Sequence, residues 1–243
     1  MVSLSGCSPA TPLPGMEPGE QGRVVRVIDG DALVLDTGQS VRLVAIEAPA
    51  LRPRGRAAEP YAEEAARALE DMALGREVRL YYPGLTRDRY DRALAHVVTI
   101  DDAGPDRWLN MDLIARGAAR VRFYPDTLAM SEAFLAAEAR ARTDRTGLWS
   151  LARYRVGDAA QLQDGYRGFA ILNARLAERR GRAQTEEAGV ACLREIESRA
   201  IKIKIRDAAS EICEAPAGSR FRLRGWISGG YLELAVSAHA EAL

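Results

Sequence analysis

Asp29 and Asp31 flank Gly30 at the end of one β-rich run, and Glu47 closes the next, which also carries Arg42. Carboxylates grouped in this way offer two or three hard oxygen donors in one place. Such donors suit calcium or magnesium rather than a transition metal. The same triplet, Asp29-Gly30-Asp31, also reads as a solvated turn. Arg42 interrupts an apolar strand pattern, where an unpaired guanidinium is costly to bury, so it requires an anionic partner or lines a cleft. Arg92 is a second cation at the start of a later β-rich run. Cys7, Cys192 and Cys213 have no metal-ligand spacing, and His96 and His239 stand alone, which argues against a zinc site.

These residues need a scaffold, and the 243-residue chain is long enough for one or two domains, with two modest ones expected. A composition of 47% hydrophobic and 28% charged residues excludes wholesale disorder and fibrous structure. Lys+Arg and Asp+Glu both total 34, so nucleic-acid affinity would have to come from local patches rather than from a global basic field. The longest stretch without charge, Met1 to Met16, is broken by Pro9, Pro12 and Pro14 and predicts no transmembrane helix.

Alternation from Arg23 to Leu35 and from Val41 to Ile46 predicts a hairpin or meander, and Glu77 to Tyr82 and Ala93 to Ile100 complete a five-strand set. A helix is expected to begin near Glu59-Pro60 and to stop at Gly75. Asn110 is expected to cap a short helix ending at Gly117. A longer helix follows Asp126, with Met130, Phe134, Ala137 and Ala141 as its apolar stripe. Beyond Arg153 strands dominate: Phe169 to Ala177, Ala200 to Arg206, Arg220 to Ile227 and Tyr231 to Val236, the last two joined by Gly229-Gly230. Arg179 to Arg199 reads as a loop followed by a short helix carrying Val190, Leu193 and Ile196. The expected organisation is a tether over 1–22, one domain over 23–152, and a smaller β-rich, barrel-like domain over 153–243.

Leu4-Ser5-Gly6-Cys7 resembles the end of a bacterial lipoprotein signal, which would make Cys7 a lipid anchor, although the apolar stretch that should precede it is missing and a chance match is equally open. On the first reading the protein is a periplasmic or envelope lipoprotein, or is secreted, and Cys192 and Cys213 could pair in that oxidising setting. On the second it is cytoplasmic.

The order of segments resembles the staphylococcal nuclease (thermonuclease) family. The matching stretches are Val27 to Asp31, Val41 to Pro49, Glu59 to Leu69 with Tyr61 and Glu64, Asp88 to Ala95, Leu113 to Ala119, Ala137 to Arg140, and Gly147-Leu148-Trp149, in register from Arg23 to Ser150. The resemblance implies a five-stranded OB-type barrel with three helices that uses calcium to hydrolyse phosphodiesters of DNA or RNA, single strands favoured. It implies Asp31 and Glu47 as metal ligands, with Glu47 standing where the family usually has aspartate. The carbonyl of Ala48 would complete the set, with Asp29 close by through water. Arg42 and Arg92 would be catalytic, gripping the scissile phosphate. Arg89 and Tyr90 would approach the terminal phosphate and base. Phe123 and Tyr124 would stack beside the nucleotide, and Arg52, Arg54 and Arg56 could track phosphates.

The chain departs from the family at the general base, where a glutamate is replaced by Ala50. A methyl group cannot accept a proton, so activity is expected to be reduced or lost unless Asp91 or Glu59 supplies the carboxylate. Asp91 also stands where the family has glycine. Two functions therefore remain open: an impaired calcium-dependent nuclease, or a catalytically silent module that binds nucleic acid or a protein partner.

Overall fold

The computed structural model describes residues 13–51, 57–101, 104, 106–178, 187–198 and 200–243. The chain divides into two compact units, one formed by residues up to Val121 together with Glu132–Gly147, the other by Arg122–Ser131 and Leu148–Leu243. Arg122–Ser131, assigned from sequence to the first domain, thus groups with the C-terminal part. The reason is visible at Phe123, whose N–H donates to His239 Nε2 at 3.0 Å across 116 residues.

In the first unit the strands are β1 (Glu17–Asp29), β2 (Ala32–Leu35), β3 (Ser40–Leu43), β4 (Ile46–Glu47), β5 (Glu77–Tyr82), β6 (Ala93–Thr99) and β7 (Arg120–Val121). The helices are α1 (Ala62–Ala73), α2 (Leu109–Ala115) and α3 (Ser131–Thr143). Strands β1-β2-β3-β6-β5 close a barrel, the five-stranded OB-type arrangement expected from the sequence. All pairings are antiparallel except β3 with β6. Closure depends on β1 serving two neighbours: its first half pairs with β5 and its second half with β2. Register shifts along both ladders bend the strand between them. Val24, Leu33, Leu35, Val41, Leu43, Val78, Leu80, Ala95 and Val97 are buried, as a filled small barrel requires.

Helix α1 buries Ala62, Ala65, Leu69, Met72 and Ala73 on one face and ends at Gly75, whose φ of 76° suits a residue without Cβ. Its start falls at Ala62, later than Glu59-Pro60, because Tyr61 adopts a left-handed φ of 72°. Asn110 does not cap α2. It lies fully buried inside the helix, accepting from Val97 N at 2.9 Å and donating to Val44 O at 2.9 Å, so it ties β6 to the turn before β4. Met130 precedes α3 at φ 61° and is exposed. The helix instead buries Glu138 with Phe134, Ala137 and Ala141, and this carboxylate accepts from Val121 N at 2.8 Å and Arg142 Nη1 at 3.2 Å.

The second unit carries β8 (Gly157–Asp158), β9 (Gly168–Arg175), β10 (Val190–Arg194), β11 (Lys202–Arg206), β12 (Arg220–Ser228), β13 (Tyr231–Leu234) and β14 (Ala240–Ala242). They form one mixed sheet in the order β10-β11-β13-β12-β9-β8, with β14 pairing to β12. Its apolar core includes Leu172, Ile203, Ile205, Leu223, Ile227, Leu232 and Leu234. Val190–Arg194 is a strand, not the expected helix, because it pairs antiparallel with β11. Its Cys192 is disulfide-bonded to Cys213 with a Cα–Cα separation of 6.1 Å. Among the described residues no helix is long and apolar enough to cross a membrane.

Candidate active site

Asp29 ends β1 and pairs with Ala32, so Gly30 and Asp31 form the two-residue turn into β2. Gly30 is demanded by packing. A Cβ there would lie 2.7 Å from Ala48 Cβ and 2.8 Å from Ala65 Cβ, so only glycine lets the turn sit between α1 and the strand end after β4. The side chain of Asp31 is thereby fully buried. Its Oδ1 accepts from Arg42 Nη1 at 2.5 Å, and its Oδ2 accepts from Ala48 N at 2.7 Å.

Arg42 stands on β3 opposite Ala32 of β2, one residue past Asp31, which is why its guanidinium reaches that carboxylate. Its Nη2 lies 3.4 Å from Glu47 Oε2. Glu47 returns toward Arg42 because Ala45 takes a left-handed φ of 63°, reversing the chain between β3 and β4. Glu47 itself is registered opposite Arg120 in the β4–β7 pair. The apolar strand position of Arg42 therefore has the anionic partners that the cost of burying a guanidinium demands.

Asp29 belongs to the same electrostatic group. Burial raises its pKa above the usual carboxylate range. The N–H groups of Gly30 and Leu51 and the charge of Arg42 oppose this, and Glu47 adds to it. Asp31 is pushed up to about 6, first by burial and then by the charges of Glu47 and Asp29, against Arg42 and the Ala48 N–H. Three acids and one guanidinium thus share one field. Oxygen donors that repel one another in this way fit a hard divalent cation in chemistry. Among the described residues, however, no three such side chains converge into a ready cation cage, and Arg42 holds the position against Asp31.

The segment after Glu47 presents its N–H groups to a series of carboxylates. Ala48 N donates to Asp31, Leu51 N to Asp29, and Ala50 N to Glu59 Oε2 at 3.1 Å, while Glu59 N returns a bond to Ala50 O at 2.9 Å. Glu59 therefore holds its carboxylate against the backbone of Ala50. Spacing gave Glu59 only as a candidate; the reciprocal hydrogen bonds that close this loop have no sequence signature. Arg52, Arg54 and Arg56 lie outside the described residues.

Arg92 is engaged elsewhere. Its Nε and Nη2 donate to Asp88 Oδ2 at 2.8 and 2.7 Å, and its guanidinium lies 5.8 Å from the centre of the Tyr90 ring. The structure thus brings Arg42, but not Arg92, into hydrogen-bond contact with the acids. Burial works to raise Asp88, yet bonds from the Arg92 side chain and from the N–H groups of Arg92 and Tyr90 outweigh it and hold Asp88 below the usual range. Arg89 donates to Tyr90 Oη at 2.7 Å, and Tyr90 is 66% exposed beside a hollow of about 570 Å3 lined also by Glu20, Gln39 and Asp91. Asp91 adopts φ 61°, the conformation a glycine would take freely, and its side chain is almost fully exposed, 3.9 Å from Arg87.

Phe123 corrects the expectation of a stacking platform. It is fully buried, with its ring 6.0 Å from and nearly parallel to that of His239, so no ring face is free for a base. Tyr124 is exposed.

A closed OB-type barrel with a buried carboxylate–arginine cluster at its first hairpin defines a class in which the barrel is a rigid mount for a polar cleft. Residues 40–151 match the model of the family described as Staphylococcal nuclease homologue. The chain is 32% identical over 132 residues to an uncharacterized endonuclease of Escherichia coli O157:H7, covering 53% of this chain and 76% of that protein. It is 29% identical over 136 residues to the thermonuclease of Staphylococcus hyicus, covering 53% and 75%. It is 34% identical over 110 residues to that of Staphylococcus intermedius, covering 44% and 62%. The chain belongs to the staphylococcal nuclease homologue family.

Proposed function

We propose that the first unit is a nucleic-acid phosphodiesterase of thermonuclease type, acting on single-stranded DNA or RNA, with turnover lowered by the methyl group at Ala50. The observation that carries this reading is the Arg42 guanidinium held between buried Asp31 and Glu47 within the field of Asp29. The names of its relatives, thermonuclease and endonuclease, agree with it.

Asp31, Glu47 and the Ala48 carbonyl would hold calcium, with Asp29 acting through water. The ion when bound would supply the positive charge that lets acids and a phosphate share one site. Arg42 is a forked, permanently charged donor suited to the oxygens of a five-coordinate phosphorus, where charge builds in the transition state. Arg92, oriented by Asp88, retains Nη1 as a further donor to that phosphate. Arg89 and Tyr90 would meet the strand at its end. Nothing at position 50 can take a proton from water, and a lost general base lowers a rate by about 10²–10⁴-fold.

The test is Ala50→Glu, assayed on labelled single-stranded DNA with calcium. A rise of about 10²-fold or more supports the reading. Cleavage that stays at background in both proteins, with oligonucleotide still bound, supports the second reading, a silent binding module, which the methyl at Ala50 favours. The Cys192–Cys213 disulfide supports an oxidising envelope or extracellular location. A lipid anchor at Cys7 falls outside the described residues.

A further inference from the structure

The sheet of the second unit carries a small cavity that the chemistry of the first unit does not use. Its volume is about 130 Å3, and its wall includes Phe169, Gly225, Trp226, Glu233, Ala235 and His239. Gly225 lets the strands close beside it, since a Cβ there would lie 2.2 Å from Glu233 O. Trp226 projects from the outer face of β12. Phe169 of β9 meets its ring edge to face at 6.4 Å, and the Arg122 guanidinium lies 5.6 Å from the ring centre. Both brace the indole, which is still 39% exposed, so the cavity reaches solvent along it. A ring of this size on a sheet face gains most by being covered.

His239 supplies an independent feature that asks for a ligand. It is only 2% exposed, and its Nε2 accepts from Phe123 N at 3.0 Å. That bond puts the proton of the neutral ring on Nδ1, a buried donor with no hydrogen-bond partner among the described residues. The ring stays neutral because burial first, and then the charges of Arg224 and Arg122, lower its pKa to about 3. A buried donor without an acceptor is destabilising, and a ligand that brings one removes that penalty. Glu233 gives Oε1 to Arg206 Nε at 2.9 Å and keeps Oε2 as a further acceptor. The wall thus offers a donor and an acceptor among aromatic rings.

We propose that this cavity binds the acetamido group of an N-acetylhexosamine, with the sugar ring lying against Trp226. A secondary acetamide brings, in one planar unit, a carbonyl acceptor for His239 Nδ1–H, an N–H donor for Glu233 and a methyl group for the aromatic wall. By the volume of liquid water the cavity would hold about four molecules, and NH–CO–CH3 has the same number of heavy atoms. The C–H face of a pyranose suits a flat indole and covers its apolar area. An acetylated lysine carries the same amide on a flexible chain whose rotamer freedom is lost on binding, whereas a sugar holds it rigidly. None of these residues takes part in the proposed phosphodiester chemistry.

The full chain is titrated with triacetylchitotriose by isothermal calorimetry and NMR. Wild type should bind with a Kd of about 1 mM or tighter, and saturation transfer should be strongest at an acetyl methyl. Cellotriose has the same pyranose backbone with hydroxyl groups in place of acetamido groups, and it should bind at least about tenfold more weakly. Nε-acetyl-lysine should bind more weakly than N-acetylglucosamine. The chain has only two histidines, so the Nδ1–H signal of His239 is readily told from His96. It should move downfield when the carbonyl arrives, which contact elsewhere on the surface would not produce. Trp226→Leu should weaken binding at least about fivefold, with the His239 signal of the free variant showing that the unit is folded. The sugar comparisons use wild type alone and stand without that variant. No binding of triacetylchitotriose, equal affinity for cellotriose, tighter binding of acetyl-lysine, an Nδ1–H signal that does not move, or wild-type affinity in folded Trp226→Leu would each overturn the proposal.

Discussion

Replacing Asp31 by asparagine should change how stability depends on pH in a way that the buried cluster dictates. The Asp31 carboxyl has its pKa raised to about 6 from 3.8, mainly by burial and then by Glu47 and Asp29. Between those two values the folded state binds more protons than the unfolded one, so stability is lost as pH rises through the folded pKa. A shift of this size corresponds to about 3 kcal/mol over the whole titration. About 2 kcal/mol of it falls between about pH 4.5 and about pH 8. The substituted side chain would not titrate. Its amide would meet a donor, from either Arg42 or the Ala48 N–H, and this clash costs about 1–3 kcal/mol, but it displaces the stability curve without changing its shape. Urea unfolding of both proteins across that range, with EDTA present, gives the difference in ΔG at each pH. Titrating groups outside the cluster cancel in this difference. Wild type should lose about 2 kcal/mol relative to Asp31→Asn on going from acid to alkaline solution. A flat difference, or one of opposite sign, would show that Asp31 is not held ionised against its surroundings, and the account of the cluster would fail.

Gly30→Ala should destabilise the first unit by about 1–3 kcal/mol in the same unfolding assay, because Ala48 and the backbone of Ala65 must shift to admit the methyl group; an unchanged midpoint would contradict the close approach. Cys192→Ser should destabilise the second unit by about 3 kcal/mol through the 21-residue separation it uncouples, read as a fall in its melting temperature that a reducing agent reproduces in wild type. His96, buried against Trp108 and Phe134, has its pKa lowered by burial to about 3, so the unfolded state gains protons first and stability should fall as pH drops from the ordinary histidine value toward 3. His96→Phe should flatten that part of the acid limb, and an acid limb identical to wild type would argue against it.

What the sequence made legible was decided by how local the partners are. Asp31, Arg42 and Glu47 lie close in the chain on adjoining strands, so their types and spacing already implied an ion-paired acidic group, and the five-stranded barrel followed from alternation. The bond that removes Phe123 from any cleft comes from His239, 116 residues away, and no local pattern announces it. Asn110 precedes an apolar run and so reads as a cap, but its amide does better joining two carbonyl and N–H groups left unpaired in the core. Val190 and Leu193 sit three apart, a helical spacing. Pairing with β11 and the disulfide at Cys192 outweigh that weak periodicity. Arg92 was placed by motif order, which cannot see that Asp88, four residues earlier, offers it a nearer carboxylate.

The cluster at the first hairpin has a consequence that Ala50 does not remove. Asp31, Glu47 and Asp29 share one field with Arg42, and a phosphodiester brought to Arg42 would meet their charge at short range once Asp31 ionises. Were Arg42 to turn Nη1 from Asp31 to a phosphate, the buried carboxylate would lose its charged partner and keep the Ala48 N–H. A divalent cation, if held by these acids as proposed, would resolve both difficulties at once, neutralising the acids and freeing the guanidinium. On the proposed reading cation and phosphate affinity would therefore be coupled, each raising the other by the same factor, whether or not a proton acceptor is present to complete hydrolysis. On that reading the methyl group at position 50 would lower the rate of a bound substrate while leaving this coupling in place, so binding and turnover would be separable.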